Sequence, residues 1–464
     1  MTDAVPTPPA ISTLGELKAA GYEYKTVREE LRDNLIAKLR RGEKPWPGLH
    51  GLEHTVLPQV ERAIIAGHDI VLLGERGQGK TRLLRTLPSL LDAYVPAVAG
   101  SELREHPLNP LTDATKRRIE EEGDATPIEW IPREARYSEK LATPDTSVAD
   151  LIGDVDPMRV AEGRRLGDPE TIHYGLIPRS NRGVVAINEL PDLAERIQVA
   201  MLNVMEEADI QIRGYMLRLP LDVLVVASAN PEDYTNRGRI ITPLKDRFGA
   251  EIRTHYPVAL EDEIHVIEQE SQLTAVVPAA IMEALARFTR ALRESDAVNQ
   301  RAGVSARFAI AGAETVAASA ARRAAITGED PVARLVDLEA AVDVLGGKVE
   351  FEHGEEDRAW DILEYLLRNA VAHSVRNQVK DIDFAPLIEA LDGSTFITTG
   401  ENLTAAEFLA GLPPLEGSLY DDIANTFGAE TQGERAAAIE LAVEALYLTQ
   451  KISKDSGEGE TIYG

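Results

Sequence analysis

Several stretches of this chain carry residues whose types and spacing suit phosphate chemistry. The run Ile70-Val-Leu-Leu-Gly74-Glu75-Arg76-Gly77-Gln78-Gly79-Lys80-Thr81 passes from an apolar strand into the pattern G-x-x-x-x-G-K-T. Its glycines let the backbone curl until successive N–H groups point at one phosphate, which then sits at the positive end of the helix that Lys80 opens. Gly74, Glu75, Arg76, Gly77, Gln78, Gly79, Lys80 and Thr81, with Arg82 behind them, form the expected nucleotide-binding set. Lys80 is placed to reach the β/γ-phosphates and the Thr81 hydroxyl to bind Mg²⁺. A second strand, Gly183-Val-Val-Ala-Ile187, ends in Asn188 and Glu189, and a third, Val223 to Ala229, ends in Asn230. α/β sheets place ligands at the carboxyl ends of their strands, so Lys80, Glu189 and Asn230 are expected on one edge.

The elements that must hold these residues read in order. Residues 1 to 13, rich in Pro and Thr, are expected to be disordered. Val27, Leu31, Leu35 and Leu39 recur every four residues, with Gly42 placed to end that helix and Pro45-Trp46-Pro47-Gly48 as a hinge. A further helical pattern, Leu52 to Ile65, leads into the first strand. Between Gly100 and Ser138 lies an insertion whose charged helix, from Thr112 to Glu122, reads as a solvated surface feature. Asp209 to Leu219 alternates apolar and polar residues about Gly214 and reads as a β-hairpin. Beyond Pro257 helical periodicity takes over, over Glu261 to Gln272, Pro278 to Arg293 and Ser305 to Ile326. The expected organisation is an N-terminal extension (1–45), an α/β core (46–257), a helical lid (258–350) and a further helical region (351–464) with a mobile acidic tail at Asp455 to Glu460.

Composition limits the function classes. At 464 residues the chain exceeds what one hydrophobic core supports. Its formal net charge of -28 argues against non-specific affinity for nucleic acid or anionic lipid, which needs clustered Lys and Arg. The absence of Cys excludes disulfides, thiolate metal sites and a cysteine nucleophile. The N-terminus lacks the basic and apolar regions of an export signal, and no apolar run is long enough to span a bilayer. A cytoplasmic location is the simplest expectation.

Together these motifs make the chain resemble an AAA+ ATPase, in the branch of the magnesium chelatase ATPase subunit and the MoxR-type ATPases. The most specific stretches are Asp150-Leu-Ile-Gly-Asp-Val-Asp156, His173-Tyr-Gly-Leu-Ile-Pro-Arg-Ser-Asn-Arg-Gly183, Ala229-Asn-Pro-Glu232 and Pro243-Leu-Lys-Asp-Arg-Phe-Gly249. The resemblance implies an AAA+ P-loop NTPase core, a parallel sheet with flanking helices, followed by an all-α lid. It implies ATP and Mg²⁺ as cofactors, Glu189 preparing the attacking water, and Asn230 as the sensor amide that helps to place it. Arg247 matches the arginine that acts on the γ-phosphate of a neighbouring subunit, and Arg307 matches the lid arginine, with Arg301 as its competitor. It further implies a homo-oligomeric ring, a hexamer by family habit, whose hairpin around Gly214 and inserted segment near 158 to 180 face a pore or partner. The partner it implies is a separate protein bearing a von Willebrand A domain, since no Asp-x-Ser-x-Ser motif occurs in this chain.

One departure matters. Where the family usually has Asp-Glu, this strand ends Asn188-Glu189, so an amide stands in the position that holds Mg²⁺ through its water shell. An uncharged acceptor there puts the hydrolysis rate in doubt more than binding, and restoring the carboxylate with Asn188→Asp is expected to raise turnover or tighten the Mg²⁺ requirement. The leading expectation is a ring motor that remodels a client in metal insertion or cofactor maturation, chelatase-like or MoxR-like. The alternatives are a nucleic-acid motor or transcription activator, and a nucleotide-gated scaffold that hydrolyses slowly. Lys80→Ala is expected to abolish nucleotide binding, whereas Glu189→Gln preserves binding and blocks turnover. Equilibrium binding and phosphate release measured on both variants separate the roles, and parental turnover by Glu189→Gln would exclude Glu189 from the chemistry.

Overall fold

In the computed structural model, strand β1 (Ile70–Leu73) is buried along its whole length. The structure describes residues 7–464 except 157, 159, 160, 162–170, 207, 208, 213, 214, 231–237, 300–302, 377, 393, 394, 458 and 459. Two compact units are formed, Met1–His255 and Tyr256–Gly464.

The first unit opens with helices α1 (Leu14–Ala19), α2 (Val27–Arg40) and α3 (Leu57–Ile65), then β1 and helix α4 (Lys80–Thr86). Strand β2 (Tyr94–Val98), helix α5 (Asp113–Glu122) and strands β3 (Ile128–Pro132), β4 (Tyr137–Leu141), β5 (Gly153–Val155), β6 (Ile172–Tyr174) and β7 (Gly183–Asn188) follow. After the helix Glu195–Glu206 come β8 (Asp209–Ile212), β9 (Tyr215–Arg218), β10 (Val223–Ala229) and β11 (Ala250–Arg253). The central sheet has the order β11-β1-β10-β7-β4, and every pairing in it is parallel. This is an α/β core, a parallel sheet covered by apolar packing on both faces.

The two-residue period of a strand sends alternate side chains to opposite faces, and both faces here are covered. Ile70, Leu72, Val184, Ala186, Leu224 and Val226 pack with Val27, Leu31 and Val60 on one side. Val71, Leu73, Val185, Ile187, Val225 and Ala227 pack with Ile197 and Met201 on the other. The inner strands are therefore continuous apolar runs, which is why they were legible. The edge strands β4, Tyr137-Ser-Glu-Lys-Leu141, and β11, Ala250-Glu-Ile-Arg253, are polar. Edge strands have one neighbour and half-solvated side chains, so nothing in their composition marks them. The stretch read as an insertion from Gly100 to Ser138 holds the solvated helix α5, with no buried residue, but also β3 and the start of β4.

Buried charge fixes α2 to the sheet. Arg28 pairs with Asp69 at 2.8 Å, and the same Asp69 oxygen accepts from the N–H of Val225 at 2.8 Å. Arg136, at the entry to β4, donates twice to Glu30, at 2.7 and 2.6 Å, and once to the carbonyl of Arg182 at 2.8 Å. Residues 1 to 6 of the expected disordered extension lie outside the described residues. The rest of it is anchored: the carbonyl of Ile11 accepts from the Trp130 indole at 2.8 Å, and Thr13 bridges to Pro127. The β8–β9 hairpin is present, and its turn residue Gly214 lies outside the described residues.

The second unit contains the helices Leu260–Glu270, Ala279–Glu294 and Ala306–Thr327, within two residues of the ranges read from periodicity. The regions separated in the sequence at 350/351 share one core, in which Leu285 and Phe308 pack with Leu363, Leu367 and Leu441. The acidic stretch from Asp455 is no free tail. Strands β12 (Ile397–Gly400), β13 (Lys454–Gly457) and β14 (Glu460–Tyr463) form a sheet of order β12-β14-β13. It is locked by charge: Lys454 pairs with Glu444 at 3.0 Å and Glu339 at 3.2 Å, and the Tyr463 hydroxyl donates to Glu444 at 2.6 Å. The anchoring glutamate lies on the helix Gln432–Leu448, every residue of which from Ala436 to Leu446 is buried. Among the described residues no helix is long and apolar enough to cross a membrane.

Breaking a buried ion pair leaves one uncompensated charge, so Glu30→Ala is expected to destabilise the first unit by about 3–5 kcal/mol. Lys116→Ala, which removes the exposed Lys116–Asp113 pair, is expected to cost less than about 1 kcal/mol. Denaturant unfolding followed by the fluorescence of Trp46 and Trp130 compares the two.

Candidate nucleotide site

The parallel register brings the ends of three inner strands together. Leu73, the last residue of β1, stands opposite Ala229 of β10, and Ala227 stands opposite Ile187 of β7. The loop Gly74–Gly79, the Asn188-Glu189 turn and Asn230 thus leave the sheet side by side. The N–H of Gly74 donates to the carbonyl of Ala229 at 3.1 Å, tying the loop to the end of β10.

Positive φ at Gly77 (78°) and Gly79 (76°) produces the curl that the spacing implied. Gly74 is required for a different reason. A Cβ there would lie 1.9 Å from the Thr254 hydroxyl oxygen and 2.2 Å from Gln78 Oε1. Those two groups brace the loop, since Thr254 Oγ1 donates to Gln78 Oε1 at 2.7 Å and the N–H of Glu75 donates to the same oxygen at 3.0 Å. Lys80 is buried, and its Nζ donates to the carbonyls of Gly74 and Glu75. An ammonium held by loop carbonyls is already inside the cradle, needing only a change of acceptor to meet a phosphate. Arg76 is exposed at the loop tip. Leu49, in the Gly48–Gly51 stretch, has Cδ2 3.8 Å from the position of a Cβ on Gly79, so this stretch flanks the loop. A cavity of 330 Å³ adjoins the loop, lined by Gly74, Glu75, Gln78, Lys245, Arg253 and Thr254 among others.

Glu189 adopts the left-handed conformation, φ 56° and ψ 49°, which costs a non-glycine residue about 1–2 kcal/mol. Its N–H donates to Ser228 Oγ at 3.3 Å. Asn188 is buried and its amide is engaged at both ends, Nδ2 donating to Glu139 at 2.7 Å and Oδ1 accepting from Ser228 at 3.1 Å. Asn230 is buried at the end of β10. Glu139 is held by Arg85 of α4 at 2.8 and 2.9 Å, and the guanidinium keeps its carboxyl below the usual carboxylate range. Glu139 is the residue that sequence reasoning missed, because strand β4 was not recognised.

Arg247 ends a short helix, Thr242–Arg247, and donates to the carbonyl of Met205 at 2.9 Å. Arg307 is exposed in the first turn of the helix Ala306–Thr327 of the second unit, and its competitor Arg301 lies outside the described residues. No group of three or more His, Asp or Glu among the described residues could hold a metal. The oxygen donors at the loop, Thr81 and Asn188, suit a hard cation that keeps most of its own waters and meets phosphate.

No protein-family model matches the chain. It is 28% identical over 247 residues to the magnesium-chelatase subunit ChlI of Nostoc sp., covering 51% of this chain and 61% of that protein. To the magnesium-chelatase 38 kDa subunit of Cereibacter sphaeroides it is 27% identical over 247 residues, covering 50% of this chain and 65% of that protein. The chain is thus similar to proteins named as magnesium-chelatase subunits. The chain spans less than two thirds of the length of these curated proteins. Among solved structures, a complex of the subunits BchI and BchD of magnesium chelatase aligns at 22% identity with a TM-score of 0.37, covering 71% of this chain and 95% of that one.

The bracing of Gly74 makes a direct prediction. Gly74→Ala drives the Thr254 hydroxyl and the Gln78 amide away from the added Cβ and breaks the hydrogen bond between them, at a cost of about 1–3 kcal/mol. Nucleotide affinity measured by titration calorimetry is expected to fall roughly tenfold or more, the equivalent of 1.4 kcal/mol or above.

Proposed function

We propose that the chain binds and hydrolyses ATP as one subunit of a ring, and that the ring remodels a partner protein in metal insertion or cofactor maturation. The observation that carries this is the convergence, on one edge of a parallel sheet, of the phosphate loop, the Asn188-Glu189 turn and Asn230. Kinship with proteins named as subunits of magnesium chelatase supports the direction of the work, since a subunit acts with others.

The chemistry follows from positions. The loop N–H groups and the start of α4 bind the β-phosphate, and Lys80 moves from the Gly74 and Glu75 carbonyls onto the β/γ-phosphates. Thr81 would hold Mg²⁺ and Asn188 Oδ1 would accept from its water shell, and the ion would supply charge neutralisation at the phosphate oxygens. Glu189 orients the attacking water, and Asn230 donates to that water or the γ-phosphate. Arg247 completes the site of a neighbouring subunit, and Arg307 keeps the role of lid arginine that the resemblance implies. A separate protein bearing a von Willebrand A domain is the proposed partner. A net charge of -28 disfavours a nucleic-acid motor, which holds its track through clustered Lys and Arg.

Arg247→Ala is expected to bind ATP normally and hydrolyse it poorly. Mixed with Glu189→Gln protein it should regain part of the activity, because an intact Glu189 then meets an intact Arg247 across one interface. Phosphate release from mixtures whose co-assembly is verified by native mass spectrometry measures this. No recovery in mixed assemblies would place Arg247 in its own subunit's site, and stimulation by single-stranded DNA would favour a nucleic-acid motor.

A further inference from the structure

The amide at position 188 is where the sequence departs from the pattern of the family it resembles, and the fold gives that amide a specific set of partners. A carboxylate only accepts hydrogen bonds, so the 2.7 Å contact to Glu139 fixes Nδ2 on that side of the Asn188 amide. Oδ1 therefore faces Ser228, whose hydroxyl donates to it at 3.1 Å. With its hydrogen committed there, Ser228 Oγ is left as the acceptor for the N–H of Glu189. Every direction in the chain of bonds follows from one carboxylate on the neighbouring strand. That carboxylate is itself filled: Arg85 donates to both oxygens, and the Tyr137 hydroxyl lies 3.2 Å from Oε2.

We propose that Glu139 is a positioning residue, forming with Asn188 an amide–carboxylate pair that holds the left-handed turn at Glu189 in hydrolytic geometry and ties it, through Arg85, to the helix that begins at the phosphate loop. The inference rests on Glu189 being the water-orienting residue. An exposed Arg–Glu pair alone contributes little, and Arg85 is indeed 64% exposed. What gives Glu139 weight is the buried amide it orients, because a misdirected buried amide leaves Ser228 and Glu189 without their partners.

The pair reverses the expectation drawn from the sequence for Asn188→Asp. Restoring the familiar carboxylate sets two carboxylates face to face across the contact now made by the amide. The geometry also supplies its own rescue. In Glu139→Gln/Asn188→Asp the glutamine amide donates to Asp at 188 while its oxygen accepts from Arg85, and the second Asp oxygen still accepts from Ser228.

The test measures kcat and KM for ATP, ADP affinity and thermal midpoint in the parent, the two single variants and the swapped double variant. Asn188→Asp is expected to lower kcat roughly 10- to 100-fold, the range that a misplaced catalytic group costs, with KM and ADP affinity little changed. The swap should recover most of kcat and should melt higher than additivity of the single variants allows. Parental or faster turnover by Asn188→Asp, or a double variant no better than Asn188→Asp, would overturn the proposal. If the parent binds ATP and releases no phosphate, the hydrolytic role falls, whereas the melting cycle still reports whether the pair exists. Additive melting shifts would reject the pair whatever the activity.

Discussion

The parallel register of five strands is the constraint on which the first unit depends. Once Leu73 is opposite Ala229 and Ala227 opposite Ile187, the residues that follow each strand must emerge together. A one-residue slip of β7 would turn Val185 and Ile187 from one core to the other and move Asn188 away from Ser228. Apolar packing on both faces prevents such a slip, and the position of the polar edge is thereby set by residues that never meet a ligand.

Charge completes what apolar packing begins. Asp69 satisfies both a guanidinium on α2 and a backbone N–H at the start of β10, while Glu30 accepts Arg136 at the start of β4. These pairs lie at the opposite ends of the strands from the phosphate loop, so α2 is a clamp on the base of the sheet. The second unit uses the same device around one buried helix, where Arg334 meets Glu440 in full burial and Lys454 meets Glu444. Buried ion pairs contribute little net stability against apolar substitutes but tolerate few alternative arrangements. Here they fix which strand or helix docks where.

The edge of the sheet is tuned by small polar groups. Gly74, Gln78 and Thr254 form one braced corner, and Glu139, Asn188 and Ser228 form another on the far side of β10. Each depends on a single donor–acceptor direction, so isosteric substitutions such as Asn for Asp have consequences that residue type alone does not reveal. An Asn at the end of a buried strand is a strut when a carboxylate stands beside it.

Local pattern was enough to disclose the curled loop after β1, the strands β1, β7 and β10, the β8–β9 alternation and the principal helices, because glycine spacing and apolar periodicity are properties of consecutive residues. Strand β4 and with it Glu139 were hidden, since a polar edge strand takes its structure from a neighbour distant in the chain. The sheet made by residues 454 to 463 was hidden for the same reason, its acidic and glycine-rich strands being held by Glu444 and by pairing with β12. The meaning of Asn188 was likewise decided by tertiary structure. The sequence shows an amide at the end of β7 where the family it resembles usually has a carboxylate; only the fold placed Glu139 against it, and a hydrogen-bond direction exists only between groups that folding has brought together.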